Sequence, residues 1–296
     1  MSSAVSSRVV LVVGATGGTG RAAVQSLVRH SIPCCVLCRN RERAAALFGD
    51  RVHLIVGDTT DRASLAAAFA EPTPHGRITD VICSTGAGWN NSPIEVEHLG
   101  VANLALEAER AGVRHLVLVS SIKVERPTSL AAVMLNLLLR NVMAYKLLGE
   151  NELRRIGFAS STMSYSIVRP GGLIGDGSGT AVESVVFGQG DTISGRVTRV
   201  AVGETLVQTL LHTRDQASPV HRTFEVVAAN PNDARQQRAG DNDWPALFAK
   251  VRDDAGPLPN ADAVSARHRQ VTRNVKIGGL LLLGSVVLGV VYTLLQ

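Results

Sequence analysis

Short apolar runs alternate with longer mixed stretches through most of the chain. The runs are RVVLVV from Arg8, CCVLC from Cys34, VHLIV from Val52, DVICS from Asp80, HLVLVSS from His115 and SYSIVRP from Ser164. Between them the pattern predicts helices from about Gly18, from about Arg41, over 63–70, over 93–111 and from about 130 to 156. Near-continuous apolar strands imply burial on both faces, and their alternation with helices implies a doubly wound parallel sheet of the α/β class. After Pro170 the alternation loosens into a glycine-rich loop, 171–179, followed by a smaller region that ends in the strand-like TFEVVAA. A substrate-shaping lobe from about 171, completing a nucleotide-binding domain over 1–229, is the expectation there.

The C-terminal part reads differently. Residues 230–276 turn polar and carry Pro231, Pro245, Pro257 and Pro259, the composition of a tether. As a flexible coil it would span roughly 38 Å. Within it Trp244, Leu247, Phe248 and Val251 fall at i, i+3, i+4 and i+7, so a short helix is expected, docked on the core or resting on lipid headgroups. Residues 277–295, IGGLLLLGSVVLGVVYTLL, are 19 residues without a charge. As a helix they reach ~28 Å, about the hydrocarbon thickness of a bilayer. Arg267, Arg269, Arg273 and Lys276 precede them and only Gln296 follows. The expectation is a single-pass tail anchor with the domain in the cytosol, on the endoplasmic reticulum or the mitochondrial outer membrane. The apolar stretch 130–139 is too short to span and is interrupted by Asn136, so it reads as a buried helix or as one shared with a second subunit, which would make 130–156 a homodimer surface. The start, MSSAVSSRVV, has seven mostly polar residues before an apolar run, and on that reading no signal or transit peptide is expected.

The formal charge of +5 does not point to nucleic acid: aromatic residues make up only 4% of the chain, and no basic run is interleaved with them. The basicity suits a membrane surface instead. Cys34, Cys35, Cys38 and Cys83 sit in strand-like runs. An extended 34–38 segment separates its ends by ~13 Å, too far for a disulfide, and the spacing is not that of a zinc site, so reduced thiols and no metal are expected.

The candidate chemistry begins at the N-terminus. Gly14-Ala15-Thr16-Gly17-Gly18-Thr19-Gly20-Arg21 follows the first strand and opens the first helix, the context a dinucleotide fingerprint requires. Gly14, Gly17 and Gly20 answer to a tight turn, close approach to a pyrophosphate, and helix-on-strand packing. The anion would rest on the amides of the helix N-terminus. At the end of the second strand, where an acidic residue selects NAD, stands Arg39, with Arg41, Arg43 and Arg21 nearby and Glu42 as the one carboxylate. Guanidinium groups fit a 2′-phosphate, so NADP(H) is expected over NAD(H).

GATGGTGR, the CRN strand end, Gly57-Asp58, LVSS at 118–121, Lys146 with Glu150, and YSIVRPGGL together resemble the atypical short-chain dehydrogenases/reductases, in particular their NAD(P)H-binding, NmrA-like subgroup. The resemblance covers about 8–229. It implies that Asp58 and Thr59 lie near the adenine, that Ser84, Thr85, Gly86 and Ala87 line the dinucleotide, and that the loop after Arg169 covers the nicotinamide. The familiar Tyr-x-x-x-Lys pair is incomplete. Lys146 takes the lysine place, but Val142 stands four residues before it and Tyr145 is turned about 100° round the helix. Ser120 and Ser121 stand where the family places a carbonyl-orienting hydroxyl. Two readings stay open: an oxidoreductase acting on a small apolar substrate through Lys146, Ser120 and Ser121, and a non-catalytic NADP(H)-responsive scaffold with a protein partner.

Overall fold

The computed structural model describes residues 8–213, 218–230 and 242–294, the side chains of 279–294 excepted. Strands β1 (Val10–Val13), β2 (Cys34–Cys38), β3 (His53–Val56), β4 (Asp80–Cys83), β5 (His115–Val119), β6 (Ser164–Pro170), β8 (Val185–Gly188) and β10 (His221–Ala228) form one sheet in the order β3-β2-β1-β4-β5-β6-β10-β8. All neighbours pair in parallel except β8, which runs antiparallel to β10. Two short strands, β7 (Gly172–Ile174) and β9 (Arg196–Thr198), pair outside it.

The helices cover both faces, because successive strand residues point to opposite sides. Val10 and Val12 of β1 enter a core shared with α1 (Gly18–Arg29), α2 (Arg41–Phe48) and α7 (Arg199–His212). Val9, Leu11 and Val13 enter the other, shared with α3 (Arg62–Ala70), α4 (Gly100–Arg110) and α6 (Val142–Ala159). The first face is close-packed: a Cβ on Gly203 of α7 would lie 2.6 Å from the backbone of Ala22 in α1. Glu204 fastens the pair, accepting hydrogen bonds from Ser26 Oγ at 2.7 Å and Arg29 Nη2 at 3.1 Å, with His30 Nε2 at 2.7 Å. Strand order reverses beside β1, whose two neighbours are β2 and β4; a doubly wound sheet opens its crevice at the carboxyl ends of such a pair.

Three expectations are corrected. The helix expected from 130 to 156 is two helices, α5 (Leu130–Leu138) and α6, bent by 100°. Arg140 and Asn141 break it with φ of 52° and 65°, left-handed values that a right-handed helix cannot contain. TFEVVAA is not part of a separate lobe: as β10 it extends the main sheet beside β6. The stretch read as a tether folds back on the domain over its described part. The helix at 244–251 docks, as one of its two readings held: α8 (Trp244–Phe248) sets Phe248 and Val251 in the first core. The start of α9 (Ala261–Leu294) buries Ala261, Ser265, His268 and Thr272 against α5 and α6. Polarity along 230–276 masked this, since buried polar side chains here find partners: His268 Nε2 donates to Val124 O at 2.7 Å, and its Nδ1 accepts from Asn136 Nδ2 at 3.0 Å.

Residues 231–241 lie outside the described residues, as do the side chains of all but the first two positions of the anchor segment 277–295. Among the described residues no single helix is long and apolar enough to cross a membrane.

Candidate functional site

The turn after β1 forms the floor of a cleft of about 240 Å³ at the carboxyl edge of the sheet. Gly14 takes φ 78°, and a Cβ there would lie 2.7 Å from the backbone of Ser84. A Cβ on Gly20 would lie 2.6 Å from Ser84 Oγ, so the protein's own packing requires both glycines. Gly17 is different. Its Cβ would meet only Gly14 O at 3.3 Å, and one on Gly86 only Glu97 Oε1 at 3.8 Å, so at these positions the missing side chains leave space in the cleft. Gly17 is also the N-cap of α1 and has no side chain to satisfy the first-turn amides of Gly18, Thr19 and Gly20. An uncapped helix N-terminus facing a cradle that a Cβ would fill fits a pyrophosphate.

Thr16, Arg39, Asp58, Thr59, Ser84 and Thr85 line the same cleft. Arg39 is held loosely, its Nη1 3.4 Å from Asn91 Oδ1 and 3.9 Å from Asp58 Oδ2, and its side chain is 63% exposed. Arg43 joins it on the wall. Arg41 does not, because its Nη2 donates to Leu54 O at 3.0 Å on the strand behind. Asp58 is engaged in its own turn, accepting from Thr60 N at 2.9 Å and Thr60 Oγ1 at 3.0 Å. Arg21 is not among the residues that line the cleft; its Nη2 donates to Asp176 O at 2.7 Å, tying α1 to the loop after β7. Gly18 packs against that loop too, a Cβ there lying 2.7 Å from Asp176 O.

Beside the cleft lies α6, whose Lys146 is not among the lining residues, nor are Ser120 and Ser121; Lys146 reaches the Gly86–Ala87 wall through Glu97. Lys146 Nζ donates to Glu97 Oε2 at 2.8 Å, while Glu97 Oε1 accepts from Ala87 N at 2.8 Å. Glu97 lies on a π-helical turn, Ile94–Leu99, that runs into α4. A Cβ on Gly149 would strike the Glu97 backbone, so glycine there lets α6 approach that turn closely. Neither Glu97 nor Asn91 was singled out from sequence. The Glu97 signal was a carboxylate within an apolar helical stretch, whereas Asn91 gave none. Val142, in the tyrosine place, is buried among Val124, Ala132 and Met143, so no phenol stands four residues before Lys146. Ser120 is buried at the end of β5, its amide donating to Val168 O at 2.8 Å. Ser121 Oγ donates to Ile122 O at 3.1 Å.

Glu150, partner of Lys146 in the family motif, is fully buried in an ionic network. Arg169 donates to it from Nε at 3.0 Å and Nη2 at 2.6 Å, and Arg154 Nη1 lies 3.2 Å away. Burial would raise its pKa, but Arg169 first and Arg154 next outweigh that and hold it below the usual range. Burial pushes the Cys34 thiol up to about 12 and Cys35 to about 11, which suits inert reduced thiols. A larger open cavity of about 630 Å³ lies between α3 and α4 around Phe69, Glu107 and Arg110, and it shares no residue with the cleft.

Fold and cleft define the class, a dinucleotide-binding α/β protein. The profile of the NAD(P)H-binding family matches residues 14–213, so the chain belongs to that family, among the atypical short-chain dehydrogenases/reductases. An uncharacterized chloroplastic protein of Arabidopsis thaliana is 30% identical over 260 residues, 84% of either chain. The divinyl chlorophyllide a 8-vinyl-reductase of Oryza sativa is 31% identical over 191 residues, 61% of this chain and 43% of that one, so the match spans less than half of the reductase. Among solved structures, the anaerobilin reductase ChuY of Escherichia coli O157:H7 superposes with a TM-score of 0.59 at 22% identity, covering 76% of this chain and all of that one. A short-chain dehydrogenase/reductase of Veillonella parvula in complex with NADP gives 0.55 at 17%, covering 79% and 99%. Likenesses at these identities concern the fold.

Proposed function

We propose that this protein is an NADPH-dependent reductase of a small apolar substrate, tethered to a membrane by its C-terminal segment. The observation that carries the redox reading is the cradle: two glycines whose absent side chains leave cleft space and an uncapped helix N-terminus, with Lys146 joined to the cleft's Gly86–Ala87 wall through Glu97. Two of the similar proteins bear the word reductase in their names, which supports a reductase over other uses of the cofactor. Preference for NADPH rests on Arg39 and Arg43 on the adenosine wall. A loosely held guanidinium loses little on turning to a 2′-phosphate, whereas NADH offers it no such partner.

The reduced nicotinamide, when bound, supplies the hydride. Lys146 has three donors and gives one to Glu97, so two remain for hydroxyls on the cofactor side of the groove. Ser120 and Ser121 stand at the strand end to orient an acceptor oxygen. With valine at 142 the chain brings no phenolic proton, and solvent is the proton source. That same valine favours a second reading, a scaffold whose partner affinity changes with cofactor occupancy, because cofactor shifts such an equilibrium only by differential affinity.

The uncharged 277–295 segment behind a basic flank supports the tether, on the endoplasmic reticulum or the mitochondrial outer membrane with the domain in the cytosol. Full-length protein assayed for NADPH oxidation with quinone, flavin and enone acceptors separates the two readings. Turnover abolished by Lys146→Ala supports the reductase, and tight NADPH binding with no turnover of any acceptor supports the scaffold. Alkaline carbonate extraction tests the tether: retention in the membrane pellet is expected, and release would contradict it.

A further inference from the structure

The two most exposed large apolar side chains among the described residues are Leu130, at 78%, and Trp89, at 69%. They belong to one rim. Leu130, Met134 and Leu138 stand at i, i+4 and i+8 and form an apolar stripe on α5, 78%, 48% and 50% exposed among the described residues. At the far end of α5, Arg140 Nη2 donates to Trp89 O at 3.0 Å and also to Asn91 O, which joins the stripe to the loop that carries Trp89. Asn91 also lines the cofactor cleft, so the rim meets the mouth of the cleft.

The course of the last helix says what lies against this rim. The chain entering α9 first meets α6, where Leu258 N donates to Asn151 Oδ1 at 2.8 Å, and then α5, where His268 is held by Asn136. Thr272 is the last buried residue of the described part, and 273–277 are exposed. The helix therefore leaves the domain beside α5. From Thr272 to Ile277, the start of the uncharged segment, the helix rises ~7.5 Å. A headgroup layer is of that order, since a bilayer of ~40–45 Å has a hydrocarbon core of ~30 Å. If the uncharged segment spans, the domain surface that α9 leaves is held at headgroup depth. The charge on this side suits the same neighbour: Arg126 and Arg140 flank α5, Arg267, Arg273 and Lys276 are exposed on α9, and Asp262 is the one acid in the described part of that helix.

We propose that the α5 stripe and Trp89 form a membrane-seating surface that lies in the headgroup layer of a phospholipid bilayer containing anionic lipid and turns the mouth of the cleft toward it. A short apolar-faced helix flanked by arginines, with a tryptophan at its end, has the composition that partitions to this layer. The inference rests on the tail-anchor reading. It adds that α5 and Trp89 themselves touch lipid, so an apolar substrate would enter from the bilayer.

The test uses full-length Trp244→Phe protein, which leaves Trp89 as the sole tryptophan, reconstituted in phosphatidylcholine/phosphatidylserine vesicles with brominated acyl chains. Bromine near the glycerol end is expected to quench Trp89 emission by about twofold or more, and bromine near the chain terminus much less, the depth profile of an interfacial aromatic. Leu130→Glu, Met134→Glu and Leu138→Glu together are expected to abolish quenching while the protein still binds NADPH and stays in the carbonate pellet. Unquenched Trp89 in protein that stays in the pellet overturns the proposal and leaves the anchor standing. Release by carbonate overturns both. Disulfide cross-linking between copies through Met134→Cys, with Trp89 unquenched, assigns the face to a second subunit and also overturns it.

Discussion

The phosphate end of the cleft and the Lys146 end of the site beside it are built from opposite materials. At the phosphate end the chain contributes backbone: glycines, an uncapped helix N-terminus and a turn closed by Gly17 N donating to Gly14 O at 3.1 Å. At the Lys146 end it contributes buried charge. Lys146 is paired to Glu97, and beneath it Arg169, Glu150, Arg154 and Glu125 form an ionic network in which Arg169 is 1% exposed. The first end holds an anion without any protein charge that needs neutralising. The second must keep every charge partnered, because an orphaned buried charge costs several kcal/mol. Substitutions in the glycine cradle and in the buried ionic network should therefore fail in different ways.

The largest effect is expected in the network. Glu150→Ala leaves Arg169 and Arg154 without their shared partner, and denaturant unfolding should show a loss of about 3–5 kcal/mol. A change below about 1 kcal/mol would mean that the network is better solvated than its burial implies. Next come the glycines. Gly20→Ala should lose both fold stability and cofactor, since its Cβ meets Ser84 Oγ at 2.6 Å. Gly17→Ala, whose Cβ meets Gly14 O at a tight 3.3 Å, should lose less melting temperature than Gly20→Ala while NADPH affinity, read by calorimetry, falls about tenfold or more, roughly 1.4 kcal/mol. Equal stability losses in the two variants would erase the distinction between the packing glycine and the cradle glycine. Arg39→Ala should weaken NADPH by about 1.5–3 kcal/mol, the worth of a hydrogen bond to a charged group, with NADH affinity nearly unchanged.

A further effect concerns pH, far from the cleft. The hydrogen bonds of Gln208, His30 and Ser26 outweigh burial and hold Glu204 at about 2, below an ordinary 4.5. Because the folded value is the lower one, its stabilisation is complete above about 4.5 and is lost as pH falls toward 2. Melting temperatures between those limits should fall less steeply in Glu204→Gln than in the unaltered protein.

The sequence exposed whatever depends on local spacing. Apolar runs, the glycine turn and Arg39 are each defined within a few residues, and each lies in the element where the pattern put it. The Glu97–Lys146 pair joins residues 49 apart, and Tyr165 OH donates to Asp254 Oδ2 across 89. No periodicity encodes such pairings. Polar composition also misled at 258–272, because His268 and Asn136 satisfy each other inside the fold and let a hydrophilic stretch bury itself. The break at Arg140 and Asn141 was hidden for another reason: neither glycine nor proline marks it, and the left-handed conformations are imposed by the packing of α5 and α6.

The most direct measurement is calorimetric titration of full-length protein with NADPH, run beside Gly17→Ala at a temperature where both proteins are folded. Saturable binding of one cofactor per chain, weakened about tenfold or more by the added methyl group, is the result that follows from a cradle built of absent side chains. No heat of association, or identical isotherms for the two proteins, would contradict it.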